Sequence, residues 1–137
     1  MKIAIRYYTR SGNTETLARI IEDTVGAKAE SVAVPLHEKM DILFLGCSYY
    51  AFDVDDAVKN FIIQNKDSIG KIVCFGTSAM MKSTHKPMKK ACDAAGVRLS
   101  EKEFHCRGSF GPMHKGHPDE QDLTNAAAFA KMVVDQE

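Results

Sequence analysis

The sequence predicts an α/β fold: a doubly wound, three-layer α/β/α sandwich around a five-stranded parallel sheet. Three observations predict it. Short apolar runs alternate with segments of helical periodicity along the whole chain. The runs Asp41–Cys47 (DILFLGC) and Lys71–Phe75 are largely apolar, as strands covered on both faces are. Glycines stand where two helical patterns end, at Gly26 and Gly96.

The elements follow in order. Lys2–Tyr8 reads as the first strand. Asn13–Val25 reads as a helix with Leu17, Ile20, Ile21 and Val25 on one face, closed by Gly26. Ala29–Val34 is a weaker strand ended by Pro35, and Asp41–Cys47 is the third. Asp55–Ile63 places Ala57, Val58, Phe61 and Ile62 at helical spacing, and Lys71–Phe75 is the fourth strand. Thr84–Ala95 is a helix that tolerates Pro87 in its first turn. Arg98–Cys106 alternates, as an edge strand does, and a Gly/Pro/His loop follows it. Asp119–Val134 is the last helix, with Leu123, Ala126, Ala127, Ala130 and Val133 as its inner stripe. No repeat, linker or low-complexity segment interrupts the pattern, so residues 1–137 read as one domain.

Composition narrows the function classes. The chain has 137 residues, 45% hydrophobic and 26% charged, enough to bury a core without disulfides or a metal. Eighteen basic residues balance eighteen acidic ones, so no overall field draws the chain to nucleic acid or an anionic membrane. The apolar run after Met1 is too short for a signal peptide, and no stretch could span a bilayer. Cys47, Cys74, Cys92 and Cys106 form no C-x-x-C pair and no zinc spacing. They read as thiols of a reducing compartment, with the cytoplasm as the expected location.

In an open doubly wound sheet, ligands bind beyond the carboxyl ends of the strands. Three predicted loops there carry chemistry. The first is Thr9-Arg10-Ser11-Gly12-Asn13-Thr14. It offers hydroxyl donors, a glycine that permits close backbone approach, and the N–H groups of a helix start, where the dipole favours an anion. It matches neither a Walker A nor a G-x-G-x-x-G pattern, which suits a phosphate held rather than transferred. The competing reading is a plain N-cap formed by Asn13–Thr16. The second loop is Ser48-Tyr49-Tyr50-Ala51-Phe52-Asp53. Its tyrosines suit one ring stacked on a planar ligand and one packed on the protein, with Phe52 packed on the following helix. The third is Gly76-Thr77-Ser78-Ala79-Met80, which offers polar groups to the edge of a heterocycle or forms an ordinary turn.

Together these loops resemble those of the flavodoxin family. Thr9–Thr14 resembles that family's phosphate signature, T/S-x-T/S-G-x-T. Gly46-Cys47-Ser48-Tyr49-Tyr50-Ala51 resembles its first isoalloxazine loop, and Phe75-Gly76-Thr77-Ser78-Ala79 its second. The resemblance extends over essentially the whole chain and implies a flavodoxin-like sheet of order 2-1-3-4-5. It also implies FMN as cofactor. Thr9, Arg10, Ser11, Gly12, Asn13 and Thr14 would lie at the phosphate, and Ser48, Tyr49, Tyr50, Ala51, Gly76, Thr77, Ser78 and Ala79 at the ring. The ending, Gly108–Pro112 and Gly116–Asp119, resembles bacterial flavodoxin-like proteins of unassigned role. The chain departs from the family in its neutral charge and its lack of tryptophan. It also lacks a glycine in Tyr50-Ala51-Phe52, where a peptide flip would need positive φ at a residue with a Cβ.

The function the resemblance implies is low-potential electron transfer between a reductase and an acceptor protein, without a general acid or base. An apolar ring site disfavours the anionic reduced flavin and lowers its potential. Two alternatives share the fold: an FMN-dependent NAD(P)H:quinone reductase or related flavin oxidoreductase, and a binding module without cofactor. A phosphate-receiver domain would need acidic residues where Tyr8-Thr9 and Ser48-Tyr49 stand. His105, Cys106, His114 and His117 lack a defined four-ligand set and read as a solvated loop rather than a metal site. Lys82, His85, Lys86, Lys89 and Lys90 read as a solvated basic face.

Overall fold

The computed structural model describes residues 1–10, 12–48, 53–78, 85–107 and 116–136. The chain runs β1 (Ile3–Tyr8), α1 (Asn13–Val25), β2 (Ala29–Ser31), β3 (Ile42–Ser48), α2 (Asp56–Asn65), β4 (Ile72–Ser78), α3 (His85–Ala95), β5 (Leu99–Arg107) and α4 (Glu120–Gln136). The strands form one parallel sheet in the order β2-β1-β3-β4-β5. Parallel pairing sends every strand's carboxyl end to one edge, and each helix starts near that edge before running back.

Alternation along the strands divides the core between two faces. Leu43, Leu45, Cys47, Ile72 and Cys74 pack with Val58, Phe61 and Ile62 of α2 and with Met88 and Cys92 of α3. Ile5, Phe44, Val73 and Phe75 pack with Leu17, Ala18 and Ile21 of α1 and with Ala126, Ala130 and Val133 of α4. Each fully buried Leu, Ile or Phe contributes about 1.5–3 kcal/mol. A surface ion pair such as Lys2–Glu38 contributes about 0–1 kcal/mol, so the core sets this architecture.

Several boundaries differ from the sequence expectation. β2 ends at Ser31 instead of Val34. The Val34 N–H donates to the Ser31 carbonyl at 3.0 Å in a turn. The Val34 and Pro35 carbonyls accept from the buried Arg6 guanidinium, at 2.8 Å to Nε and 3.2 Å to Nη2. Burial pushes the Arg6 pKa down, and Glu30, 3.4 Å away, acts against that. β4 runs on through Gly76, Thr77 and Ser78, and Ser48 belongs to β3. These residues pair across the sheet, Ser48 with Thr77 and Ser78 with Arg107, so ladder hydrogen bonds extend strands whose apolar run has already ended. Finally, α2 begins at Asp56 and continues to Asn65, whose side-chain amide donates to the Phe61 carbonyl and accepts from the Leu36 N–H.

β5 and β2 are the two edge strands. Ile72 pairs with Leu99 and Cys74 with Glu103, so β5 takes four steps (99 to 103) where β4 takes two (72 to 74). Such a bulge is common on an edge.

Candidate functional site

β1 delivers the chain to the carboxyl edge at Tyr8, and the first loop turns it into α1. Gly12 is the N-cap of α1, at φ +88°, and contributes no capping side chain. The left-handed conformation explains the glycine, because a Cβ there is unfavourable by about 1–2 kcal/mol. The expected cap from Asn13–Thr16 does not form in that way. The Thr16 hydroxyl and N–H both donate back to the Gly12 carbonyl, at 3.0 and 3.1 Å. The Gly12 N–H donates to Thr9 Oγ1 at 2.9 Å, which sets the loop's curvature.

One side chain at this helix start points inward. Thr14 is fully buried, and its Oγ1 lies 3.2 Å from Oγ1 of Thr77, itself 1% exposed. That pair joins the first turn of α1 to the end of β4. It brings together residues from the first and third predicted loops, 63 positions apart. Glu15, an acidic residue in the first turn, is engaged on the flank: it accepts from the Tyr7 hydroxyl at 3.0 Å and from Arg19 at 3.1 Å. Burial, then the Glu15 hydrogen bond, raises the Tyr7 pKa.

Arg10 takes a position the sequence does not indicate. The flavodoxin resemblance sets it at the phosphate, whereas its Nη2 donates to Asp55 Oδ2 at 2.9 Å. Its pKa is raised, first by the Tyr8 hydroxyl and then by Asp55. Asp55 is the N-cap of α2, and its Oδ1 accepts the Ala57 N–H at 2.9 Å.

The start of α4 is also closed by carboxylates. Asp119 Oδ1 accepts the Asp122 N–H at 2.9 Å, and Asp122 Oδ2 accepts the Asp119 N–H at 2.9 Å, a reciprocal capping box. His117 Nδ1 lies 2.7 Å from Asp122 Oδ2, and that hydrogen bond raises its pKa. The side-chain ligand atoms of His117, Asp119 and Asp122 lie within 4.8 Å of one another, but the two carboxylates serve the backbone of α4.

Several expected site residues fall outside the described residues: Ser11, Tyr49, Tyr50, Ala51, Phe52, Ala79, Met80 and the segment 108–115 with His114. So does Lys82 of the basic region, whereas Lys86, Lys89 and Lys90 are exposed on α3. The thiols are all buried, and burial pushes Cys92 and Cys106 up to about 12, far from nucleophilic use. Two positions escape the sequence reading. Asp55 carries a visible N-cap signal but none for Arg10. Gly46 is required because a Cβ there would lie 2.3 Å from the Phe75 ring.

No protein-family model matches the chain. An uncharacterized protein of the archaeon Methanocaldococcus jannaschii is 27% identical over 98% of this chain and 99% of its own length. Among solved structures, a flavodoxin from the domain Archaea superposes with a TM-score of 0.80, at 14% identity, over 99% of this chain and 98% of the other. The chain has a flavodoxin-like fold. Oxidised flavodoxin 2 of Bacillus cereus matches this flavodoxin-like chain over the full length of both, with a TM-score of 0.70 and 18% identity. That sequence relative is archaeal, and the bacterial likeness expected of the chain's ending rests on the sequence resemblance alone. No helix among the described residues is long and apolar enough to cross a membrane.

Proposed function

We propose that this protein binds FMN at the carboxyl edge of its sheet and carries electrons between a reductase and an acceptor protein. One observation carries the reading. Among the described helix starts at that edge, α2 and α4 are capped by the carboxylates of Asp55 and Asp119, whereas α1 begins at a left-handed glycine with no side-chain cap. A carboxylate cap engages the first-turn N–H groups and repels an anion. A glycine cap leaves room for one, and the helix dipole favours it.

The donors there suit a phosphate ester. Thr9, Ser11, Gly12, Asn13 and Thr14 supply hydroxyl and amide groups, and no lysine is present to assist transfer. Thr9 Oγ1 already accepts the Gly12 N–H, so its own O–H proton points elsewhere. The ring would meet Ser48, Tyr49, Tyr50, Ala51, Gly76, Thr77, Ser78 and Ala79, by resemblance to the flavodoxin loops. FMN supplies the redox chemistry when bound, and the protein sets its orientation and surroundings. The neutral net charge argues against docking through a strongly acidic surface.

The test is the visible absorption spectrum of the purified protein before and after addition of FMN. A flavin spectrum with quenched fluorescence at one equivalent is expected. Absence of binding with excess FMN would overturn the proposal. Lack of NADH oxidation by the loaded protein is expected of a carrier, and steady turnover would make it a reductase.

A further inference from the structure

We infer that Arg10 is a positioning residue, not a phosphate ligand: it ties the first loop, beside the proposed flavin site, to the start of α2. The inference rests on the FMN reading for its consequence, though not for its geometry.

Asp55 is a fixed anchor. Its Oδ1 accepts the Ala57 N–H, and its backbone carbonyl accepts the N–H groups of Val58 and Lys59 at 3.0 and 3.1 Å. The residues before it are held as well. Val54 is 3% exposed and packs in the α2-side core. Asp53 accepts the Val54 N–H at 2.7 Å and Lys59 Nζ at 2.8 Å. The other carboxylate oxygen of Asp55 takes Arg10 Nη2 at 2.9 Å across 45 positions of sequence. The Asp55 side chain is 20% exposed against 59% for Arg10, so the bond is charge-assisted and shielded from water on its acidic side.

This geometry separates two roles for the arginine. Moving Arg10 to a phosphate would break the pair and leave the Asp55 carboxylate facing a second anion. With the pair kept, the two charges nearly cancel at the cradle and the phosphate rests on neutral donors. The tie then works on the first loop and the start of α2. The first loop is held by Thr9–Gly12 at its centre and by Arg10–Asp55 at its side. Segment 53–55, which leads out of the second predicted loop, is the element it is held against.

The experiment compares FMN with riboflavin, which lacks the phosphate, in the full-length protein and in Arg10→Gln, Asp55→Asn and the double variant. Asparagine caps a helix about as well as aspartate, so Asp55→Asn removes the tie while keeping the cap. Each single variant is expected to weaken both flavins by the same factor, about three- to tenfold. The double variant should be no weaker than the weaker single. Loss of FMN affinity alone in Arg10→Gln, with Asp55→Asn silent, would overturn the inference and make Arg10 a phosphate ligand. The flavin-free protein supplies an independent readout: amide hydrogen exchange at Gly12 should speed up in Asp55→Asn as in Arg10→Gln. Unchanged Gly12 exchange in Asp55→Asn would overturn the tie. If the unsubstituted protein binds neither flavin, the FMN reading falls and this exchange measurement decides the tie.

Discussion

At the carboxyl edge of the sheet, α1 starts from Gly12 with no side-chain cap, whereas α4 starts from Asp119 inside a reciprocal capping box with Asp122. Both helices pack on the same face of the sheet, so core burial does not distinguish them. The difference lies in what stands at the cap position. At α4 it is a carboxylate, so negative charge already sits at the positive end of the dipole. At α1 it is a glycine, and the first-turn acid, Glu15, turns aside to Tyr7 and Arg19. The cost is small, because glycine is only a few tenths of a kcal/mol poorer than the best N-cap residues. The remaining stability of the α1 start comes from the Thr14–Thr77 pair beneath it and from the buried Leu17, Ala18 and Ile21. A helix start held from below, with glycine and not a carboxylate at its cap, suits an incoming anion.

The comparison is broken most strongly at Gly12. Nothing among the described residues lies within 4 Å of a Cβ placed there, but φ is +88°. Gly12→Val is therefore expected to leave the core folded and strain the cradle, lowering FMN affinity about 100-fold, or ~2.7 kcal/mol. Titration of FMN fluorescence with a parallel thermal melt measures both, and stoichiometric FMN in Gly12→Val would remove the cradle from this loop. Asp119→Ala should do the reverse. It loses an N-cap worth about 1 kcal/mol, a fall in Tm of roughly 3–5 °C, with FMN affinity unchanged. A weakened FMN site in that variant would show that the two helix starts are not independent.

Thr14→Val probes the support beneath α1. It removes one member of a buried hydroxyl pair and should lower stability by about 1 kcal/mol, read from the denaturation midpoint. Adding Thr77→Val should cost less than its effect alone, because the partner is already gone; strict additivity would mean the pair carries no coupling. The smallest effect concerns pH. The folded pKa of His117 is raised by its hydrogen bond to Asp122. Its contribution is therefore fully present below the unfolded pKa of about 6.5 and is lost as pH rises through the folded value. Asp119 is lowered, first by the Asp122 N–H, so its contribution is present above about pH 4 and is lost as pH falls through its folded value. A slight fall in Tm from pH 6 to pH 9 is expected, and His117→Gln should flatten it. An unchanged slope in that variant would assign the effect to other groups.

Much of the fold is legible in the chain because its signals are local. The bounds of α1, Asn13–Val25, follow from apolar periodicity and from two glycines, and both glycines adopt positive φ. The alternating pattern of Arg98–Cys106 marks a strand that lies at one edge of the sheet. The site is legible only in part. Thr9, Gly12 and Thr14 are recognisable as a polar turn before a helix. Nothing near Arg10 in sequence names Asp55, and nothing near Thr14 names Thr77. Gly76 and Thr77 look like a loop because their apolar run has ended, yet pairing with β3 and β5 keeps them in the sheet.

The sequence by itself determined the alternation of strand and helix, the two-faced burial of the central strands, the closing glycines and the polar turn before α1. Each depends on residues within a few positions of one another, through periodicity, capping and allowed φ. Only the tertiary structure decided where β2 and β4 end, which helix starts are closed by carboxylates, and where the charge of Arg10 goes. Those outcomes depend on strand register and on partners tens of residues away, and a hydrogen bond between distant residues leaves no trace in the local pattern of either.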